Sequence, residues 1–188
     1  MTKSKVRMTP KILAQRAKTE VLKLDLGGAH NPQEGFIVLD IRPEPHVDIV
    51  HDWEDIPWPI PDNTFTIIAA AHVVEHINPA KFGFIKWMDE CWRVLKDDGQ
   101  LMIVTPYAGS AGYYADPTHV NPCNHYTWDF FDPLHNMGLW KIYKPKPWKF
   151  ERRHLSYQVD GTMELVLIKR RLDTISNTNG NNSHKHSR

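Results

Sequence analysis

The sequence has only two cysteines, Cys91 and Cys123, in 188 residues. Two thiols make no disulfide framework, and a chain of this length can bury a sizeable core without staples. An excess of charge is lacking too: 23 Lys and Arg stand against 22 Asp and Glu, a formal net charge of +1. No global field draws such a chain onto nucleic acid or an anionic membrane. No apolar run is long enough to span a bilayer. The first stretch, MTKSKVRMTPKILAQRAK, is basic but has no apolar segment of the kind a signal peptide needs. Internal repeats are absent. These absences lead us to expect one domain in a reducing, cytoplasmic setting, and the 41% hydrophobic and 24% charged content fits that class.

The chain divides into three parts. Residues 1–19 read as a basic leader with a short helix over Ile12 to Ala17. Residues 20–172 carry the apolar periodicity of a folded domain. Residues 173–188, DTISNTNGNNSHKHSR, are polar and low in complexity, the composition of a disordered tail in which His184 and His186 have no structural role.

Within the domain, short apolar runs alternate with turns. VLKLDL (21–26), FIVLDI (36–41), VDIVHD (47–52), FTIIAAA (65–71) and QLMIVTP (100–106) predict five strands. Asn78-Pro79 predicts a helix start, because Asn caps and Pro tolerates the first turn. Phe84, Met88, Cys91 and Leu95 form one stripe of that helix, which Asp97-Asp98-Gly99 should end. WKFERRHLSYQV (148–159) and TMELVLIKR (162–170) flank Asp160-Gly161, a hairpin signal. Parallel strands followed by an antiparallel hairpin describe an α/β fold with a mixed sheet.

Ligands of such sheets bind at the carboxyl ends of the strands. Here those ends carry Asp25, Gly27, Gly28 and Ala29; then Asp40 and Ile41; then Asp52 and Trp53; then His72. Glycine lets a backbone approach a ligand closely. A carboxylate after the second strand can accept both hydroxyls of a ribose. An acid beside an indole suits an adenine ring. Each residue alone is more simply a turn, a cap or core packing. Together they describe a nucleoside site.

One string points elsewhere. AHVVEHINP (71–79) contains His72, Glu75 and His76 in the H-x-x-E-H spacing of inverted zinc peptidases, and Glu151 follows at a distance suited to a third ligand. Against this, Asn78-Pro79 restarts the chain too soon for a zinc-binding helix, and Glu151 sits in a predicted strand, whereas those peptidases place that ligand on a helix.

The runs L-D-L-G-G (24–28), V-L-D (38–40), D-W-E-D-I-P-W-P-I-P-D-N-T-F (52–65), A-H-V-V-E-H-I (71–77), R-V-L-K-D-D-G-Q-L-M-I-V-T-P (93–106) and D-P-T-H (116–119) together resemble the class I S-adenosylmethionine-dependent methyltransferases, in particular their type-11 group. The resemblance covers roughly residues 20–170, and the block from Ile56 to Ile77 is its most specific part. It implies a Rossmann-like fold with a mixed seven-stranded sheet, and S-adenosylmethionine as cofactor. It implies that Asp25, Gly27, Gly28 and Ala29 hold the methionine side, that Asp40 meets the ribose, that Asp52 and Trp53 meet the adenine, and that Ile41 also contacts the cofactor. His72 would border the cleft, and the H-x-x-E-H string would hold no metal. The chain departs from the family between the first two strands, where a full helix is usual. About nine extended residues reach about 30 Å, so a loop can still return along a strand of roughly 17 Å. The sheet face left thin would be covered by Ile12 and Leu13 of the leader or by a second copy of the chain.

Methyl transfer is an in-line displacement that depends chiefly on orientation. The long segment TPYAGSAGYYADPTHVNPCNHYTW (105–128) has the look of a substrate loop. His119 and His125 are the candidate bases, since imidazole titrates near neutral pH, with Tyr107 and Asp116 in the same pocket. Pinning of the loop by caps and turns is the plainer role for each. A metal set of His119, Cys123 and His125, with His72 or His76, matches no strong zinc spacing. KIYKPKPWKFERR (141–153) with Lys169, Arg170 and Arg171 is locally basic. It fits phosphate or nucleic acid less well than the charged sheet edge that discourages aggregation. A small-molecule or sugar-like acceptor is therefore expected. The rival functions are a non-catalytic binding or assembly module and a histidine-based metal hydrolase.

Overall fold

In a computed structural model the chain is described over residues 7–156 and 161–171, without the side chains of 152–156. Strands β1 (Lys23–Leu26), β2 (Ile37–Asp40), β3 (Ile49–Val50), β4 (Phe65–Ala71), β5 (Leu95–Pro106), β6 (Trp148–Ser156) and β7 (Thr162–Lys169) form one sheet in the order β3-β2-β1-β4-β5-β7-β6. The first five run parallel, with Leu24 opposite Ile37 on one side and Ile68 on the other. β7 is antiparallel to both β5 and β6. This is the expected mixed seven-stranded sheet. All four residues of β2 are buried, as a parallel strand covered on both faces requires. The strand order reverses between β1 and β4, and a crevice opens there beyond their carboxyl ends.

No helix joins β1 to β2, so the shortened crossover is a loop. The leader instead folds. Helix α1 (Pro10–Arg16) begins with Thr9 accepting from Ile12 N, and its Leu13 is fully buried in the core that holds Leu24, Leu26, Ile37 and Leu39. Lys96 Nζ donates to the Ala17 carbonyl and ties the end of α1 to β5.

Helix α2 (Gly83–Val94) starts later than its cap predicts. Asn78 Oδ1 does accept from Ala80 N at 2.9 Å, but only a single turn forms. Lys81 and Phe82 then take left-handed backbone, with φ of 53° and 63°, and break the chain's path before Gly83. There the Asn78 carbonyl lies where a Cβ would sit, so a glycine is needed. α2 buries Phe84, Trp87, Met88, Cys91 and Val94, the predicted face except for Leu95. Leu95 is extended and opens β5, so the helix ends before Asp97-Asp98-Gly99. That turn is a bulge inside β5: the pairing steps from Phe65↔Leu95 to Ile67↔Gln100. Two further helices are short, α3 (Ala111–Ala115) and α4 (Trp140–Tyr143).

The hairpin pairs Trp148 with Lys169 and Ser156 with Thr162. Of its expected turn only Gly161 is described, at φ 62°; Asp160 and the tail 173–188 lie outside the described residues. The basic residues Lys169 to Arg171 are not a free patch. Lys169 is 2% exposed, donates to Asn63 Oδ1 and the Leu95 carbonyl at 2.7 Å each, and sits 4.0 Å from the centre of the Trp92 ring. Burial lowers its pKa. Arg170 pairs with Asp132, and Arg171 with Asp97 and Asp98.

Candidate functional site

The crevice at the β1/β4 reversal is a cleft of about 730 Å³, within the range of about 300–1,000 Å³ usual for small-molecule sites. Of the residues expected there, Asp25, Gly27, Gly28, Ile41, Trp53 and His72 line it. Gly27 turns the chain at φ 73°, and a Cβ on it would meet Val73 at 2.8 Å and the Trp53 ring at 3.5 Å. A Cβ on Gly28 would collide with Asp25 Oδ2. The two glycines thus let backbone, indole and carboxylate share one small space. Asp25 is 3% exposed and receives one hydrogen bond, from Gln33 N at 2.9 Å. Burial, and then the charge of Asp40, push its pKa up against that bond. It is a carboxylate short of donors at the edge of a cavity, which suits a ligand cation such as an ammonium.

Asp40 is placed differently from its expected role. It does not line the cleft, and its side chain is fully buried. Its carboxylate accepts from Ala29 N, Arg42 N, Arg42 Nε and Arg42 Nη2 at 2.9–3.1 Å. Burial alone would raise its pKa, but these bonds outweigh it and hold the carboxyl below its usual value. With four donors in place, the carboxylate has no capacity left for ribose hydroxyls until Arg42 moves. Ala29 is buried and spends its N–H on Asp40 and its carbonyl on His46. Asp52 is exposed and caps its own turn by accepting from Glu54 N. It is Trp53, not Asp52, that borders the cleft. His30, Asn31, Gln33 and Arg42 line it as well. Sequence reasoning assigned these four no part; the only signal was their place in the loops after β1 and β2.

A second pocket of about 330 Å³ adjoins the first, and His72, His76 and Asp116 line both. His72 takes left-handed backbone at φ 54°, which turns the chain off β4 into the Val74–His76 turn and sends Glu75 inward. Glu75 is fully buried; its Oε2 accepts from Thr105 Oγ1 at 3.0 Å and its Oε1 lies 3.1 Å from His72 Nδ1. The Glu75 carbonyl accepts from Val120 N and Asn121 N, which docks the long loop after β5 against this turn. That docking brings His119 to the second pocket, 4.8 Å from His76 between ring centres.

His125 and Tyr107 do not join this group. They stack on each other, with Tyr107 Oη 3.3 Å from His125 Nδ1, and line neither pocket. Cys123 is fully buried, and burial beside Glu75 pushes its thiol up to about 12, so it is no ready metal ligand. The inverted zinc peptidase arrangement is not formed either. Its string lies on a turn, and Glu151 pairs with Lys149.

Comparison with known proteins bears on this architecture. The chain matches the "Methyltransferase domain" family over residues 13–103. No curated protein sequence matches it. Among solved structures it is similar to a SAM dependent methyltransferase from Archaeoglobus fulgidus, at 15% identity and a TM-score of 0.57, covering 85% of this chain and 93% of that one. It is also similar to the N-methyltransferase NodS from Bradyrhizobium japonicum in complex with S-adenosyl-L-homocysteine, at 12% identity and a TM-score of 0.55, covering 86% and 87%. A third likeness is to the [4+2]-cyclase SpnF, at 15% identity and a TM-score of 0.51, covering 85% and 79%. At these identities the structural likeness establishes the fold, while the domain match spans the strands that build the cleft. Residues 13–103 thus match a methyltransferase domain, and the chain has the Rossmann-like fold of the S-adenosylmethionine-dependent methyltransferases it resembles.

Proposed function

We propose that the protein transfers a methyl group from S-adenosylmethionine to a small-molecule or sugar-like acceptor. The observation that carries this is the wall shared by two pockets: a large cleft at the strand reversal and a smaller one beside it, divided by His72, His76 and Asp116. A two-substrate transfer needs two adjoining cavities of this kind. S-adenosylmethionine, when bound, supplies an electrophilic methyl group on a sulfonium. Gly27 and Gly28 give the backbone close approach, Asp25 faces the ammonium end, and Trp53 and Ile41 supply apolar walls. Ile41 is 52% exposed, an apolar surface that a ligand would cover.

On the acceptor side His119 has a defined tautomer. Its Nδ1 lies 2.7 Å from the Tyr113 carbonyl. A carbonyl only accepts, so Nδ1 carries the proton and Nε2 keeps its lone pair. That nitrogen can hold an acceptor hydroxyl or take its proton. Tyr107 and His125, stacked together outside both pockets, serve to fix the loop.

A second function, a domain that keeps the fold without the transfer, is favoured by the closed Asp40–Arg42 pair. The likeness to a cyclase agrees that this fold does not dictate methyl transfer. Calorimetric titration with S-adenosylhomocysteine tests the proposal, with Arg42→Ala beside the wild type. Micromolar binding supports the cofactor site. Failure of both proteins to bind ends the proposal.

A further inference from the structure

The densest set of ligating groups among the described residues is Glu75, His76 and His119, whose ligand atoms all lie within 4.8 Å of one another. The second pocket opens against all three. Each is held in the state a metal ligand needs. His119 donates from Nδ1 to the Tyr113 carbonyl and keeps Nε2 bare. His76 reaches the same state by a relay. Thr118 Oγ1 donates to Asp116 Oδ1 at 2.7 Å, so toward His76 Nδ1, 3.1 Å away, it can only accept. The His76 proton therefore sits on Nδ1, and Nε2 is left with its lone pair. Oriented imidazoles whose second nitrogen is bound to a carbonyl or a carboxylate relay are the usual surroundings of metal-ligating histidines. Glu75 is fixed by Thr105 and His72, and each of its oxygens retains a further lone pair. The cluster thus has a buried negative charge and two oriented neutral donors.

We infer that Glu75, His76 and His119 bind a divalent first-row transition ion, zinc being the best fit, whose open coordination positions face the second pocket and take a hydroxyl of the acceptor. Two imidazoles and one carboxylate form the donor set of open catalytic zinc sites and of non-haem iron sites. A bound dication offsets the buried charge of Glu75 and lowers the pKa of an oxygen it holds, so the hydroxyl proton passes to bulk water. His119 is then a ligand and not a base, and the acceptor atom is oxygen. The role in transfer rests on the proposed function; the ion site itself does not.

The test is a titration of the full chain with Co²⁺, read by visible absorption and by calorimetry with Zn²⁺, alongside S-adenosylhomocysteine titration of the same samples. One Co²⁺ per chain is expected, with ligand-field bands of mixed nitrogen and oxygen coordination. His76→Ala and His119→Ala should each weaken it by about 10- to 100-fold, and Thr118→Val, which removes the hydroxyl that links Asp116 to His76, should weaken it by about 10-fold. His51→Ala, away from the cluster, should bind as the wild type does. S-adenosylhomocysteine affinity should stay within about threefold in His119→Ala and Thr118→Val. Wild type that binds S-adenosylhomocysteine but no Co²⁺ or Zn²⁺ overturns the inference and leaves the methyltransferase function standing. Co²⁺ binding indifferent to His76→Ala, His119→Ala and Thr118→Val overturns it too, since the ion then sits on other histidines. Stoichiometric Co²⁺ binding lost in these variants, without S-adenosylhomocysteine binding, upholds the site and removes the transfer.

Discussion

The two walls of the cleft are built from opposite materials. The wall after β1, β2 and β3 consists of glycines, an indole and acids that are buried or already paired. The wall after β4 and β5 gathers His72, Glu75, His76, Asp116 and His119, with imidazole nitrogens turned to known partners. The first recognises by shape: what matters is which atoms are missing. The second recognises by lone pairs and protons: what matters is which atoms are present. Damage to the first should therefore abolish cofactor binding, and damage to Glu75 or His119, which line only the second pocket, should spare it.

The largest effect is expected from Gly28→Val. Its branched side chain has no room beside Asp25, and S-adenosylhomocysteine binding should fall below detection in calorimetry, with far-ultraviolet circular dichroism retained. Trp53→Ala comes next, with a loss of about 1–3 kcal/mol in S-adenosylhomocysteine binding if the indole stacks on the adenine. Glu75→Ala should spare that affinity to within about threefold and instead cost about 1–3 kcal/mol of stability, because the Thr105 hydroxyl loses its acceptor. Chemical denaturation measures it, and a larger loss of affinity than of stability would erase the contrast between the walls.

The two buried aspartates sharpen the contrast within the first wall. Asp25 has a raised pKa, so its ionised form destabilises the fold, and that loss is present once pH rises through its folded value. Asp25→Asn should raise the melting temperature at about pH 7 and leave it unchanged near pH 3, while weakening S-adenosylhomocysteine binding. Asp40 is the reverse case. Its pKa is lowered, so its contribution is present above the unfolded value and vanishes as pH falls through the folded one. Arg42→Ala should therefore reduce stability at about pH 7 and lose that difference in acid. The smallest effect is expected from Tyr107→Phe, which removes one weak contact to His125 and should leave S-adenosylhomocysteine affinity unchanged within error.

Much of the first wall was legible in the sequence, because glycine and acid at successive strand ends are local signals. FTIIAAA is β4 to the residue, and the expected antiparallel hairpin forms, though with Ser156 opposite Thr162 rather than in the register of a two-residue Asp-Gly turn. What stayed hidden was side-chain direction. Asp40 ends β2 as expected, but Arg42 lies two residues on and takes its carboxylate inward. The second wall was legible only in pieces. The H-x-x-E-H string was visible, as was His119, but their meeting depends on Val120 N and Asn121 N bonding the Glu75 carbonyl, a tertiary contact no periodicity encodes. The α2 start was misplaced for a related reason: a good cap can close a single turn when two left-handed residues follow.

Helix α1 has a practical bearing on handling the protein. Leu13 sits at 0% exposure in the main core, and the Ala17 carbonyl holds Lys96. Shortening the chain to the first strand, as one trims a floppy leader before crystallisation, would pull a plug from the core. The trimmed protein should express poorly or clump, and an affinity tag is safer placed ahead of this helix than substituted for it.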